Sequence, residues 1–228
     1  MYVLGIDTST MTGGAALVRT GTLVGEYVLN IRTTHSERLL PAIKQLLDDG
    51  NISLEDIDGI AVVTGPGSFT GIRIGVATAK GFAYSLGQDI VGVTTLEAYG
   101  WQFKFFPGIV MPLIDARRNR VYAQGFVNGE PVSEGENTSL LHVLEWCKAQ
   151  ENPCLMVGDG AFAYRSQIEE KLPSAVFPPG ELGLLRPSAA ASLGHARLSA
   201  GIKDDLFELN PSYMRKTEAE MKWNGKQT

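Results

Sequence analysis

The sequence predicts an α/β protein built from two similar lobes. Strand-like apolar runs alternate with helix-like segments along its 228 residues, a pattern typical of this class. Two of the runs, "YVLGI" and "IVMPLI", are each followed by an aspartate, Asp7 and Asp115. The order β-β-β-α-β-α follows from each of them. We therefore predict a duplicated unit, with an N-terminal lobe at residues 1–104 and a smaller, divergent C-terminal lobe at residues 105–228.

The first unit can be traced along the N-terminal half. After "YVLGI", the runs "AALV" and "GEYVLNI" predict two more strands, and "THSERLLPAIKQLLDDG" changes to a helical period. Thr34 and Glu37 form a capping box for this helix, Gly50 is a suitable C-cap, and Pro41 predicts a kink or a delayed start. "GIAVVT" predicts a buried strand, followed by a glycine-rich loop and helix, and "DIVGV" predicts a further strand.

The second unit repeats this order. "IVMPLIDARRNRVYAQGFVNGEPV" predicts three strands, and "SLLHVLEWCKA", "CLMVGDGA" and "YRSQIEEKL" predict helix, strand and helix. The boundary between the lobes is expected near "FKFFPG", Phe103 to Gly108.

Charge and composition exclude several classes of protein. The net charge of −5 argues against this chain binding nucleic acid alone. Two local basic clusters, Arg117–Arg118–Arg120 and Arg215–Lys216, could contact RNA or form a solvated edge. No apolar run reaches the length of a membrane span, and the N-terminus lacks a signal-peptide pattern. The spacing of Cys147 and Cys154 matches neither a redox pair nor a zinc knuckle, which favours a reduced, cytosolic protein.

The loop "TGPGSFTG" and the turn after Asp7 are candidates for binding an anion. The glycine spacing is a weak match to a dinucleotide fingerprint, and no Walker-type lysine follows it. A helix N-terminus nevertheless attracts anions, although Ser68 could simply cap the helix. The candidate anion or nucleotide contacts in the two lobes are Asp7, Thr8, Ser9, Gly65, Gly67, Ser68, Thr70 and Asp115.

The helix after this loop has small residues at every fourth position, on one face. We call the following set the small-residue face: Gly67, Gly71, Gly75, Ala79, Ala83 and Gly87. Glycine inside a helix costs about 1 kcal/mol relative to alanine, so another backbone is expected to approach closely. The approaching element could be the protein's own sheet or a partner.

Catalytic motifs are weak. The turn after Asp7 lacks the neighbouring glycine that holds phosphate in kinases of the actin and sugar-kinase architecture, although Asp7 could still position a metal-bound phosphate. His35, His142 and His195 lie far apart and form no H-x-x-x-H motif. A metal site made by this chain is not expected.

Five segments together resemble the bacterial TsaB (YeaZ) family: "LGIDTST", "THSERLLPAI", "TGPGSFTGIRIG", "DARRNRVY" and "PSYMRKTEAE". The resemblance runs over nearly the whole chain. It implies the two-lobed actin/sugar-kinase/Hsp70-like (ASKHA) fold. It also implies a cytoplasmic role in making N6-threonylcarbamoyladenosine (t6A) beside the anticodon of tRNAs that read ANN codons.

The resemblance implies a non-catalytic scaffold that activates TsaD, the paralogue that transfers the threonylcarbamoyl group. The expected partners are TsaD, in a heterodimer through helices His35–Asp49 and Phe69–Leu86, and the ATPase TsaE. The isolated chain is expected to form a homodimer, and tRNA to bind through the complex. This chain would hold no cofactor or metal by itself, while ATP or ADP and a divalent metal would be bound through TsaD and TsaE. The expected interface residues are His35, Leu39, Leu40, Ile43, Gly71, Arg73, Gly75 and Ala79.

Two other functions remain open at this point. One is an autonomous ATP-dependent phosphotransferase of the same fold. The other is a metallopeptidase, which the missing histidine pair disfavours. If the small-residue face meets a partner, Gly75→Ala should leave the melting temperature unchanged or slightly raised, because alanine favours helix.

Overall fold

The first sheet has five strands and forms the N-terminal lobe. The computed structural model describes residues 1–30 and 35–212, the side chains of residues 35 and 36 excepted. The strands are β1 (Tyr2–Asp7), β2 (Thr12–Arg19), β3 (Thr22–Asn30), β4 (Gly59–Gly65) and β5 (Asp89–Thr94). Their order is β3-β2-β1-β4-β5, with β1, β4 and β5 parallel and β2 antiparallel to both of its neighbours.

Two helices, α1 (His35–Gly50) and α2 (Phe69–Leu86), pack on this sheet. A short 3-10 turn, Leu54–Asp56, lies between α1 and β4. α1 begins before Pro41 and continues through it, so the expected delayed start is wrong. Gly50 is still helical, and Asn51 takes the left-handed conformation (φ 50°) one residue later than predicted. The predicted capping residue Thr34 lies outside the described residues.

The second sheet is centred on β6 and repeats the first unit with interruptions. Its strands are β6 (Ile109–Asp115), β7 (Arg120–Ala123), β8 (Phe126–Val127), β9 (Glu130–Pro131), β10 (Glu136–Ser139) and β11 (Cys154–Val157). β7 and β8 both pair antiparallel with β6, while β11 pairs parallel with it. The predicted second and third strands are therefore each broken in two. In the second strand the break lies at Gly125, where Ser133 Oγ accepts the Gly125 N–H at 2.8 Å.

The remaining helices are α3 (Thr95–Gln102), α4 (Leu140–Lys148), α5 (Asp159–Ala163), α6 (Arg165–Lys171) and α7 (Pro187–Ser199). α7 comes late in the chain yet packs on β1, β2, β4 and β5 of the first sheet. There it approaches so closely that a Cβ on Gly5 would lie 2.6 Å from the Cβ of Ala191. The division of the chain at residues 104 and 105 stays a prediction; what the structure adds is that α7 returns to the first sheet.

Helices cover both faces of the first sheet, and the side chains of β1 alternate between these two faces. Leu4 and Ile6 belong to the core shared with α1 and α2, whereas Val3 packs with Leu198 of α7. A further cluster joins the two sheets, since it combines residues of β5, α3, β6, β8 and α7. Within the described residues, no helix is long and apolar enough to cross a membrane.

Candidate functional site

The turn that follows β1 is packed onto the start of α2. The hydroxyl of Thr8 donates to the carbonyl oxygen of Gly71 at 2.7 Å, and the N–H of Ser68 donates to the carbonyl oxygen of Ser9 at 2.6 Å. Asp7 Oδ1 accepts the N–H of Ser9 at 2.8 Å. Because Asp7, Thr8 and Ser9 are all buried, this turn is part of the protein interior.

Glycines on α2 make room for this turn. A Cβ on Gly71 would lie 2.0 Å from the carbonyl oxygen of Thr8, and a Cβ on Gly75 would lie 2.4 Å from Thr8 Oγ1. Ala79 and Ala83, farther along the same face, are buried in the core that α1 and α2 share with the sheet. From Gly71 to Ala83 the small-residue face therefore packs within this chain. Assigning Gly71, Gly75 and Ala79 to a partner interface is wrong.

The loop before α2 provides a helix cap. Ser68 Oγ accepts the N–H of Gly71 at 3.2 Å, which confirms the capping interpretation. Gly65, with φ at 111°, and Gly67 form the bend between β4 and α2. Thr70 is exposed in the first turn of the helix. An anion contact at this loop stays a prediction.

β6 ends at Asp115, whose carboxylate is bonded within the C-terminal lobe. Asp115 Oδ1 accepts from the hydroxyl of Tyr164 and from the N–H of Arg117, both at 2.8 Å. The N–H of Asp115 in turn donates to Asp159 Oδ1 at 3.0 Å. Burial raises the pKa of Asp159 above the usual range of an aspartate. Two carboxylates thus stand together where β6 and β11 end.

An open cavity of ≈ 300 Å³ lies between the lobes. Burial raises the pKa of the Tyr99 hydroxyl, and the carboxylates of Asp159 and Asp7 raise it further. Carboxylates from both lobes therefore act on Tyr99, in the wall of this cavity. Its walls are formed by Thr10, Met11, Thr12, Asn30, Tyr99, Asp159, Phe162, Gly180, Gly183 and Leu184.

Sequence reasoning missed two of the residues that define this cleft. Asp159 lies just beyond the end of β11, much as Asp7 and Asp115 end β1 and β6, so the same pattern could have identified it. Tyr99 lies on α3, which the sequence analysis did not predict. The capping box of α3, formed by Thr94 and Glu97, was the available signal for this helix.

The exposed surfaces of α1 and α2 share only part of the expected interface, namely Leu40 and Arg73 among the described side chains. Leu39 and Ile43 are buried, at 3% and 2% exposure, whereas Leu40 is 54% exposed. Arg73 is exposed, and its guanidinium carbon lies 3.8 Å from the centroid of the Phe69 ring. Assigning Leu39 and Ile43 to a partner interface is therefore wrong, because both side chains fill this chain's own core.

One glycine of α2, Gly81, lies on the same outward side of the helix as Arg73. Gly81 is exposed, and apart from its chain neighbours and the backbone of its own helix, no described atom lies within 4 Å of a Cβ added to it. Ala77 and Tyr84 are exposed on the same helix. His35, another expected interface residue, begins α1, and its side chain is outside the described part of the structure. The surface defined by Leu40, Phe69, Arg73, Ala77, Gly81 and Tyr84 is called the α1/α2 surface below.

The first basic cluster forms a tight loop between β6 and β7. Arg117, Arg118 and Asn119 have φ values of 64°, 55° and 58°, a left-handed conformation that is unfavourable for residues with a side chain. Arg120 is bonded to Asn137 through both Nε, at 2.9 Å, and a terminal nitrogen. Arg117 and Arg118 are exposed and, within the described residues, have no ion-pair partner.

The second basic cluster and a metal site were the remaining points of the sequence analysis. Arg215–Lys216, the second basic cluster, lies outside the described residues. In the part of the chain that the structure describes, no group of three or more His, Cys, Asp or Glu side chains is arranged to hold a metal ion.

Comparisons with known proteins show which family and which fold this chain resembles. A family model described as TsaD, tRNA N6-adenosine threonylcarbamoyltransferase, matches residues 23–223. The chain is 38% identical, over 98% of both chains, to the tRNA threonylcarbamoyladenosine biosynthesis protein TsaB of Bacillus subtilis. Among solved structures, YeaZ from Pseudomonas aeruginosa is 26% identical with a TM-score of 0.73, covering 93% of this chain and 99% of that one.

A more distant structure shows the fold alone. The ROK hexokinase of Thermus thermophilus is 11% identical, with a TM-score of 0.51 over 88% of this chain and 100% of that one. The predicted two-lobed ASKHA fold is confirmed.

Proposed function

Because this chain belongs to the TsaB (YeaZ) family, we propose that it is a non-catalytic subunit of the assembly that makes t6A in tRNA. The observation that carries this proposal is the full-length similarity to a protein named for t6A biosynthesis. In the proposal, the chain pairs with TsaD, and the pair works with TsaE. Nucleotide and a divalent metal are bound through those partners, tRNA binds through the complex, and the chain acts in the cytoplasm. Without TsaD it forms a homodimer.

The packing of the first turn supports a role without catalysis. Kinases of this architecture hold phosphate at the turn after the first aspartate. Here Thr8 and Ser9 are bonded to the backbone of the α2 region instead, and Gly71 is in contact with Thr8. A phosphate at this turn would have to replace bonds that hold α2 to the sheet.

The α1/α2 surface supports docking of TsaD. Leu40 and Phe69 expose apolar side chains on neighbouring helices, and Arg73 adds a charge beside them. Gly81 costs helix stability without relieving a contact in the described chain, which is understandable if a partner's backbone approaches there. The docking surface is therefore the outward side of the helices named by the resemblance.

The alternative function, an autonomous ATP-dependent phosphotransferase, is favoured by the fold and by the cavity between the lobes. The charges of the cleft oppose it, because the carboxylates of Asp7 and Asp159 would repel a triphosphate unless a cation intervened. Phosphate release from ATP by the purified chain alone separates the two functions. We expect none above the buffer rate, and a turnover that scales with this chain would favour the phosphotransferase.

The test of the proposed function is reconstitution of t6A synthesis. TsaD, TsaE and a source of threonylcarbamoyl adenylate are incubated with tRNA, with and without this chain. We expect t6A only when this chain and TsaD are both present. Product formed by this chain without TsaD would contradict the proposal.

The docking surface is tested separately with a matched pair of variants. Leu40→Glu places a charge on α1, and Leu141→Glu places one at a comparably exposed position of α4, with 54% and 51% exposure. Since a charge buried without a partner is costly, we expect Leu40→Glu to weaken TsaD binding by about tenfold or more. Leu141→Glu should bind like the wild type. Equal affinities for the two variants in calorimetry would place the interface elsewhere.

A further inference from the structure

The two cysteines of the chain meet in the C-terminal lobe although six residues separate them. Cys147 lies on α4 and Cys154 begins β11. Both are buried in the same apolar cluster, and neither is in a disulfide. Each thiol shifts the pKa of the other, so the two side chains lie within interaction distance. The folded chain therefore brings together two thiols whose spacing predicts no redox pair.

This interaction makes the two thiols unequal. It raises the pKa of Cys147, and burial adds to this, whereas it lowers the pKa of Cys154. A thiol with a lowered pKa is the better nucleophile at neutral pH, and a neighbouring thiol can then resolve its oxidised form. Cys154 is thus the attacking thiol and Cys147 the resolving one.

The two cysteines border a space that a small solute can enter. An open cavity of ≈ 450 Å³ has Cys147 and Cys154 in its wall. Lys148, Lys171 and Glu151 also line it, so the cavity wall carries charged groups of both signs. A molecule the size of hydrogen peroxide can enter such a space without unfolding of the lobe.

We propose that Cys147 and Cys154 are a site of reversible oxidation, at which hydrogen peroxide converts the two thiols into an intramolecular disulfide. The thiolate of Cys154 attacks one peroxide oxygen, the O–O bond breaks, and the departing hydroxide takes up a proton to give water. The sulfur of Cys147 then attacks the sulfenic acid of Cys154, the S–O bond breaks, and a second water leaves with the Cys147 proton. Two thiols lose two electrons and two protons, and one peroxide becomes two waters.

Trypsin offers a direct assay because Lys148 separates the two cysteines. The full-length folded protein is treated with hydrogen peroxide, quenched, unfolded and alkylated, and then digested. We expect peptide 121–148 to be joined to peptide 149–165, and dithiothreitol to separate them. Two separate alkylated peptides, or a link that forms only when urea is present during oxidation, would overturn the proposal.

Single variants test the assigned roles of the two thiols. In Cys147→Ser, Cys154 has no resolving partner, so we expect its sulfenic acid to be trapped by dimedone. In Cys154→Ser, we expect Cys147 to remain a thiol under the same treatment. The opposite labelling would overturn the assignment of Cys154 as the attacking group. The wild-type digest decides the disulfide itself, whatever the stability of either variant.

Discussion

Gly75→Ala should destabilise this protein, contrary to the expectation from helix propensity. The added Cβ would lie 2.4 Å from Thr8 Oγ1. That hydroxyl also donates to the carbonyl oxygen of Gly71 at 2.7 Å, so it cannot move without losing a buried hydrogen bond. The substitution therefore affects the contact between α2 and the end of β1.

The size of the effect follows from three opposing contributions. Overpacking a tight interior costs about 1–3 kcal/mol, and the lost hydrogen bond costs about 0.5–1.5 kcal/mol. Helix propensity returns about 1 kcal/mol, which leaves a net loss of about 0.5–3.5 kcal/mol in the free energy of unfolding. For a chain of this length each kcal/mol shifts the melting temperature by about 2–4 °C, so we expect a fall of about 1–14 °C.

Gly81→Ala on the same helix is the matched control. No described atom lies within 4 Å of its added Cβ, so propensity acts alone and the melting temperature should rise by a few degrees. Thr8→Ala should relieve the clash with Gly75→Ala, because it removes the oxygen that the methyl meets. It should not relieve Gly71→Ala, whose Cβ would lie 2.0 Å from the Thr8 carbonyl oxygen. Melting by circular dichroism gives all these values. A Gly75→Ala protein that melts at or above the wild-type temperature would refute the assigned packing.

Two further outcomes are expected. Replacing both Arg117 and Arg118 by alanine should reduce tRNA binding by the assembled complex, and lower the slope of log affinity against log salt by about one unit per lost phosphate contact. Arg165→Ala with Lys171→Ala removes the same charge from α6 and should leave the slope unchanged; equal slopes for both pairs would exclude the loop from the tRNA contact. For Asp159, the raised pKa means that the folded state binds the proton more tightly than the unfolded chain does, so the ionised carboxylate destabilises the fold at neutral pH. Asp159→Asn should therefore raise the melting temperature at pH 7, with the gain shrinking as the pH falls toward the usual aspartate range; a gain independent of pH would contradict this.

The sequence could predict those elements whose packing leaves a periodic pattern. β1 and β4 are nearly continuous apolar runs because helices cover both faces of the first sheet. α1 was visible because its inward residues, such as Leu39 and Ile43, recur at helical spacing. The duplication was visible because Asp7 and Asp115 end equivalent strands.

α7 packs through small residues and left no such pattern. α7 has the sequence "PSAAASLGHARLS", in which alanine and glycine face the sheet. A Cβ on Gly194 would lie 2.3 Å from the Cβ of Ala61, so contact here depends on the absence of side chains. A helix of this kind has no apolar period to detect. The cleft residue Tyr99 lies on α3, which is only eight residues long and too short for a clear apolar period, so its capping box was the available signal.

The direction of α2 shows why spacing alone could not locate the partner surface. Small residues recur every four positions on the inward side, at Gly71 and Gly75, and again on the outward side, at Ala77 and Gly81. Both rows satisfy the same spacing rule, and helical periodicity carries no information on which row meets the sheet. The contact between Thr8 and Gly75 decides it, because that contact fixes the rotation of α2 about its axis. The glycine of α2 available to a second protein is then Gly81. The Gly81→Ala variant therefore also tests whether a partner binds at this point. A methyl group there should stabilise the free chain, yet weaken TsaD binding if a partner's backbone approaches at this point.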